Sequence, residues 1–330
     1  MKTWRWRLAG VAAILIAAAR LGLCADAPPP TLDAVHAALY AGEADRALDL
    51  LRSLRTPGAG AAEAANLECR VRLTVRQWDS AVQACEQSVR LEPQNSSYHS
   101  WLGRALGKKA EKANFVSAIS LARRVRTEFE EAVRLNPRSA EALADLGDFY
   151  VEAPGFMGGG QDKALSIAAQ LDALDPGAAS QLRGRIAEAR KDYPTAEREF
   201  RHAVAIALHP ALRWATLASF LQRRQRWDDM ETAVRSCESA AQRDSHATVA
   251  LYDCAGVLID ARRDPQTAAR LLEEYLSSSS KTDEAPAFEA WVRLAKLEED
   301  LGDNAAARRD RNAALALAHE YSAAQETGRH

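Results

Sequence analysis

The chain has 330 residues, room for one large domain or two ordinary ones, with 47% apolar and 27% charged residues. Its formal net charge is −2, and removing the first 25 residues, which hold Lys2, Arg5, Arg7 and Arg20 and no acid, leaves a body at −6. A mildly acidic body lacks the basic face of a nucleic-acid binder, and an alanine-rich, glycine- and proline-poor composition favours helices over strands.

Residues 1–25 have the layout of a secretory signal peptide. Lys2, Arg5 and Arg7 precede an apolar run from Leu8 to Ala19, and small residues and Pro28–Pro30 follow. A membrane span needs about 20 apolar residues, and Arg20 ends this run early, so no integral span is expected after signal removal. Cleavage is placed after Ala25, with 26–30 as a short Pro-rich linker. The expected location is the periplasm or another exported compartment. Leu21-Gly22-Leu23-Cys24 matches a lipoprotein motif only in part, so lipid on Cys24 is the lesser alternative.

From residue 31 the chain repeats itself. Segments such as 77–93, 127–137, 162–176 and 193–210 share an apolar helix pattern that closes near a proline. Aligning the early small or apolar position of each second helix gives Ala47, Ala81, Val125, Ala164, Ala196, Met230, Ala268 and Ala307. Their spacings are 34, 44, 39, 32, 34, 38 and 39 residues. Such periods mark a solenoid of stacked helix pairs, since one pair cannot bury both its faces.

Trp214, Leu217, Ala218 and Leu221, and again Leu143, Leu146, Gly147 and Tyr150, stand in a large–Leu–small–large order. Trp291, Leu294 and Ala295 follow it, with Glu298 departing at the last place. Second helices offer Ala196, Phe200 and Ala203, and Ala164, Ala168 and Leu171. In these positions the chain resembles the tetratricopeptide-repeat family over about residues 31–320. The resemblance implies an all-α, right-handed α–α superhelix of about eight degenerate hairpins, with first helices on the concave side, and leaves 321–330 as a polar tail. The long third repeat and the 153–161 loop of the fourth are atypical, and this pair resembles, in architecture alone, the helical domain of the regulator-of-microtubule-dynamics proteins.

Cysteines test this arrangement. Cys69 and Cys85 are equidistant from a turn at Gln77, and Cys237 and Cys254 from one beside Ser245 and His246. Residues equidistant from an antiparallel turn lie side by side, so each pair is expected to meet as a disulfide.

No residue pattern points to catalysis. The seven histidines form no metal-ligand spacing, no GxSxG occurs, and Gly103–Lys108 lacks the form of a phosphate loop. No cofactor or metal is expected. Gly158–Gly160 precedes a helix start, where amide groups could hold an anion; a plain turn is the favoured reading, with Asp162 capping the helix. Phe156 and Met157 are expected to be exposed on this loop as contact candidates. The five tryptophans from Trp78 to Trp291 are expected in the core, and the basic run 122–126 on a solvated face.

The family resemblance also implies where a partner would lie. The corresponding first-helix positions are Arg104 and Lys108, Asp148 and Glu152, Arg185 and Glu188, Gln222 and Arg223, Asp253 and Asp260, and Lys296 and Glu299. The expected function is a non-catalytic exported scaffold that binds a protein or peptide in a polar groove of mixed sign. The alternative is a permanent accessory subunit of a cell-envelope assembly or secretion complex, marked by an apolar patch.

Overall fold

The structure, a computed structural model, describes residues 31–54, 60–244 and 247–326. The expected signal, linker and Cys24 lie outside these residues. Among the described residues no strand forms; an isolated bridge joins Thr282 and Ala285. No described helix is long and apolar enough to cross a membrane.

Among the described residues sixteen helices pair into eight antiparallel hairpins. These are α1 (Leu32–Ala41) with α2 (Ala44–Ser53), α3 (Ala61–Thr74) with α4 (Trp78–Leu91), α5 (Ser96–Ala110) with α6 (Phe115–Leu135), and α7 (Ala140–Glu152) with α8 (Gln161–Leu171). There follow α9 (Pro176–Ala189) with α10 (Tyr193–Ile206), α11 (Ala211–Arg223) with α12 (Trp227–Gln242), α13 (Val249–Ala261) with α14 (Pro265–Ser277), and α15 (Ala287–Leu301) with α16 (Asn304–Leu317). A short α17 (Ser322–Glu326) ends the described chain. Helix starts are set by side chains that accept the free amides of the first turn. Thr31, Asn95, Asn114, Ser139, Asp175, Asp192, Asp264 and Asp303 all cap in this way.

The aligned small positions lock each hairpin. All eight, from Ala47 to Ala307, are buried. Seven occupy the fourth residue of their helix; Val125 is the eleventh residue of α6. Helix α6 therefore starts seven residues early, an extension of about 10 Å. Opposite the small residues stand large ones. A Cβ on Gly103 would come within 2.4 Å of the Phe129 ring, and one on Gly184 within 2.8 Å of Phe200. Small residues here let paired helices approach closely, and the aromatic rings fill the space they leave. The five tryptophans are half-buried.

Successive first helices touch one another more closely than successive second helices do. The stack curves toward the first helices, which line its inner face. The curvature brings the last hairpin back to the first. Val35, Leu39, Leu48 and Leu67 share one apolar core with Phe288, Ala314, Ala318, Tyr321 and Ala324. At the seam Gly42 has φ +76°, and a Cβ there would stand 2.6 Å from the Ala287 nitrogen. Only glycine meets both demands. Tyr321 and Ala324 are buried in this seam, so the expected polar tail is corrected: its first residues belong to the packed body, held by the apolar surface of α1.

The sulfurs of Cys69 and Cys85, on α3 and α4, lie at disulfide distance with Cα atoms 5.1 Å apart. Those of Cys237 and Cys254, on α12 and α13, do so with Cα atoms 7.1 Å apart.

Candidate functional site

The inner face carries ion pairs that bridge neighbouring hairpins. Arg185 meets Asp148 and, at 2.6 Å, Glu152. Arg223 donates to both oxygens of Glu188 at 2.8 and 2.9 Å. Arg104 donates to Asp145 at 2.9 Å and meets Glu141 at 2.7 Å. The expected groove residues are thus brought together as a ladder that ties repeats 3 to 6. Lys108 lies one turn beyond Arg104 and pairs with Glu111. Gln222 is half-buried. Lys296 is exposed and stands 3.8 Å from Asp300, and Glu299 meets Arg311. Asp260 lines a cavity of 280 Å³ at the closing seam with Arg76, Glu289, Arg293 and Tyr321. A larger open cavity of 740 Å³, lined by Asn95, Ser96, Ser100 and Ser139, sits on the edge where repeats 2 to 4 meet.

The segment 278–286, between hairpins 7 and 8, crosses the inner space. Tyr275 donates its hydroxyl to the Ala285 carbonyl, and Thr248 donates to the Ser280 carbonyl at 2.7 Å. So anchored, the segment places Asp283 on Arg70 at 2.8 Å and Glu284 at 3.6 Å from Arg104. Both guanidiniums lie over the Trp101 ring, each with its carbon 4.7 Å from the centroid. Sequence reasoning missed Arg70, Asp283 and Glu284. The signal available was the 39-residue spacing before Ala307, a surplus over the 34-residue period.

Charge on the inner face is unbalanced. Arg104 is shared by Asp145, Glu141 and Glu284, and Arg185 by Asp148 and Glu152. Asp253 on α13 is open to solvent yet ringed by protein, and it forms no hydrogen bond or ion pair among the described residues. Burial pushes its carboxyl up to about 6, against the opposing charge of Arg293 and with added repulsion from Glu284. Burial likewise raises Asp145 to about 6, although Arg104 pulls the other way. Asp148 and Glu284 are raised in the same direction by the protein crowded around them, although their side chains remain 42% and 69% exposed.

The glycine run forms a closed turn. The amides of Gly158, Gly159 and Gly160 donate to the carbonyls of Gly155, Pro154 and Tyr150. Those groups are therefore engaged within the loop and do not face an anion. A Cβ on Gly159 would lie 1.7 Å from the Ala153 oxygen, which explains the glycine sterically. Asp162 does not cap α8; Gly160 holds that place, and Asp162 points into solvent. Phe156 is exposed as expected, Met157 is half-buried, and the Phe156 ring lies 6.5 Å from that of Phe115.

Glu298, the departure from the repeat pattern, meets Asp310 of α16 and Arg309. Burial and the neighbouring Asp310 carboxyl raise Glu298 to about 7. Asp310 is only 1% exposed, and each carboxyl has one oxygen without a partner. Neither residue lines the cavities described above. Among the described residues no group of three His, Cys, Asp or Glu side chains could hold a metal ion.

Among the described residues, the eight stacked helical hairpins make this chain an all-α helical-repeat superhelix, the architecture expected from its resemblance to the tetratricopeptide-repeat pattern. No family model and no curated protein matches it. Among solved structures it is similar to a thermophilic TPR protein of Thermus thermophilus, with 21% identity and a TM-score of 0.46 over 55% of this chain and 91% of that one. It is also similar to a tetratricopeptide repeat protein from Parabacteroides merdae, with 16% identity and a TM-score of 0.39 over 81% and 97%. A MamA protein is similar at 15% identity and a TM-score of 0.35 over 56% and 94%. These likenesses concern the fold alone.

Proposed function

We propose that this chain is an exported scaffold that holds a protein or peptide partner on its inner face and carries out no catalysis. The observation that carries the reading is Asp253, an inner-wall carboxylate that forms no hydrogen bond or ion pair among the described residues and stands in the fields of Arg293 and Glu284. On the inner face of repeats 3 to 5, carboxylates outnumber the guanidiniums they share. An inner face of this sign suits a partner segment bearing lysine or arginine, because a cation there offsets the charge crowding that adds to the effect of burial on these carboxyls. The ladder of Arg185 with Asp148 and Glu152, and of Arg223 with Glu188, stiffens the wall, and Asp253 and Asp260 face the partner. Export is supported by two cysteine pairs at disulfide distance.

The test is affinity capture from the cell envelope after mild cross-linking, with wild type and with Asp253→Asn/Asp260→Asn. Loss of a partner from the double variant, with thermal unfolding unchanged, supports the inner face. Retention of every partner refutes it. The rival reading, a permanent subunit of an envelope assembly, draws on the exposed Phe115 and Phe156 side chains.

A further inference from the structure

The early start of α6 has a consequence at the surface. Its first buried residue is Val125, and the seven extra residues at its start, about two turns, extend past the aligned start of the other second helices. At the end of this projection Phe115 is 68% exposed and Val116 76%. The fourth hairpin adds Phe156, 61% exposed, through its 153–160 loop. That loop is held by the amides of Gly158, Gly159 and Gly160, which donate to Gly155, Pro154 and Tyr150, and by Lys163, which donates to the Gly158 carbonyl at 3.0 Å. Three large apolar side chains from two hairpins thus converge on one prominence.

The prominence is basic. Residues 107–124 hold Lys108, Lys109, Lys112, Arg123 and Arg124 against the single acid Glu111; Asp79 and Glu86 of α4 pair with Lys109 and Arg124, each at 2.6 Å, which leaves a net excess of two positive charges in a chain whose net charge is −2. Lys112 forms no ion pair among the described residues. Lys108 pairs with Glu111 across an exposed surface, where such pairs are weak and easily exchanged. Apolar side chains ringed by lysines match the two layers of an anionic bilayer surface: acyl chains take the rings and the phosphate layer takes the ammonium groups. A protein partner for so small an apolar area would need further flat surface around it, whereas a projecting point suits a yielding lipid layer.

We propose that the tip formed by Phe115, Val116 and Phe156, with Lys108, Lys109 and Lys112 around it, docks the scaffold on an anionic membrane surface. This contact is independent of the inner face, which remains free for a partner.

Hydrogen exchange of the full chain, read peptide by peptide by mass spectrometry, tests it. The probes are vesicles of phosphatidylcholine alone and of phosphatidylcholine mixed with phosphatidylglycerol. Peptides covering 107–124 and 153–160 should gain protection only on the mixed vesicles, and lose it in high salt. Each lysine near an anionic surface strengthens binding about fivefold, so Lys108→Glu/Lys112→Glu should raise the lipid concentration for half-maximal protection at least about 25-fold. Phe115→Ser/Phe156→Ser should raise it at least about tenfold. Both variants change exposed side chains and should unfold at the wild-type temperature. No protection of these peptides on mixed vesicles overturns the proposal. So does protection that both variants retain, or protection of the tip only by an added envelope-protein extract. Because the readout is local, lipid affinity of residues 1–25 does not mimic it.

Discussion

Arg70 Nε donates to Asp283 Oδ2 at 2.8 Å across 213 residues of sequence, with the two side chains 10% and 7% exposed. Burial alone would lower the Arg70 guanidinium, but the hydrogen bond and charge of Asp283 hold it above its ordinary value. This pair ties the segment before the eighth hairpin to α3, and Phe288 and Tyr321, with ring centroids 4.9 Å apart, lie in the apolar core that the end of the chain shares with α1, α2 and α3. Removing one member of a buried pair leaves the other charge uncompensated, at a cost of about 3–5 kcal/mol. Asp283→Ala should lower the urea midpoint accordingly, and small-angle scattering should show a larger radius as the seam loosens. An unchanged radius and midpoint would mean the closure does not depend on this bridge.

Two glycines on α5 should respond in opposite directions. Gly103→Ala forces a methyl into the Phe129 ring and should cost about 1–3 kcal/mol. Gly107→Ala meets nothing within 4 Å and should stabilise by up to about 1 kcal/mol, the helix propensity gained. Thermal unfolding of the two variants checks the sign of each.

Stability should fall as pH rises from about 5 to 8. Glu298, raised to about 7 by burial and by Asp310 and Asp303 against Arg309, favours folding below its unfolded value. It loses that contribution as pH climbs through the folded one. His99 acts with the same sign. Its two ring nitrogens stand 2.7 Å from Glu128 and 3.1 Å from the Pro93 carbonyl, a geometry that suits a doubly protonated ring; the Glu128 bond, against burial, raises its pKa. Glu298→Gln should flatten the slope of unfolding free energy against pH; the same slope in the variant would remove Glu298 from the account.

The cysteine pairs are expected to be oxidised in the native protein. Alkylation without reductant should then modify none of Cys69, Cys85, Cys237 and Cys254. Reduction should cost about 2–3 kcal/mol for the 69–85 loop, read as a lower unfolding temperature. Four modified thiols in unreduced protein would contradict the pairing.

The inner wall sets a condition on further variants. Reversing Arg185 or Arg223 would place a new carboxylate beside Asp148 and Glu152, or beside Glu188. Arg185→Glu/Arg223→Glu should therefore unfold at lower temperature than wild type, while Asp253→Asn should not. Equal unfolding temperatures would show that the ladder contributes nothing to stability.

By itself the sequence determined the local architecture. Ala47, Ala81 and their counterparts mark the hairpins because close helix contact demands small residues at a fixed interval, and a period survives in a linear string. The pairings of Cys69 with Cys85 and Cys237 with Cys254 were legible for the same reason: an antiparallel turn relates residues by simple counting. The tertiary structure alone decided the rest. Superhelical curvature is a sum of small rotations over eight hairpins, so no single residue announces that Gly42 will meet Ala287 or Arg70 will meet Asp283. The inner positions Asp148, Arg185 and Glu188 were legible as one face of successive first helices, but whether each charge is neutralised depends on neighbours a full repeat away. Asp253 forms no ion pair among the described residues, and Phe115 joins Phe156 at one tip, because of where the curved stack carries them.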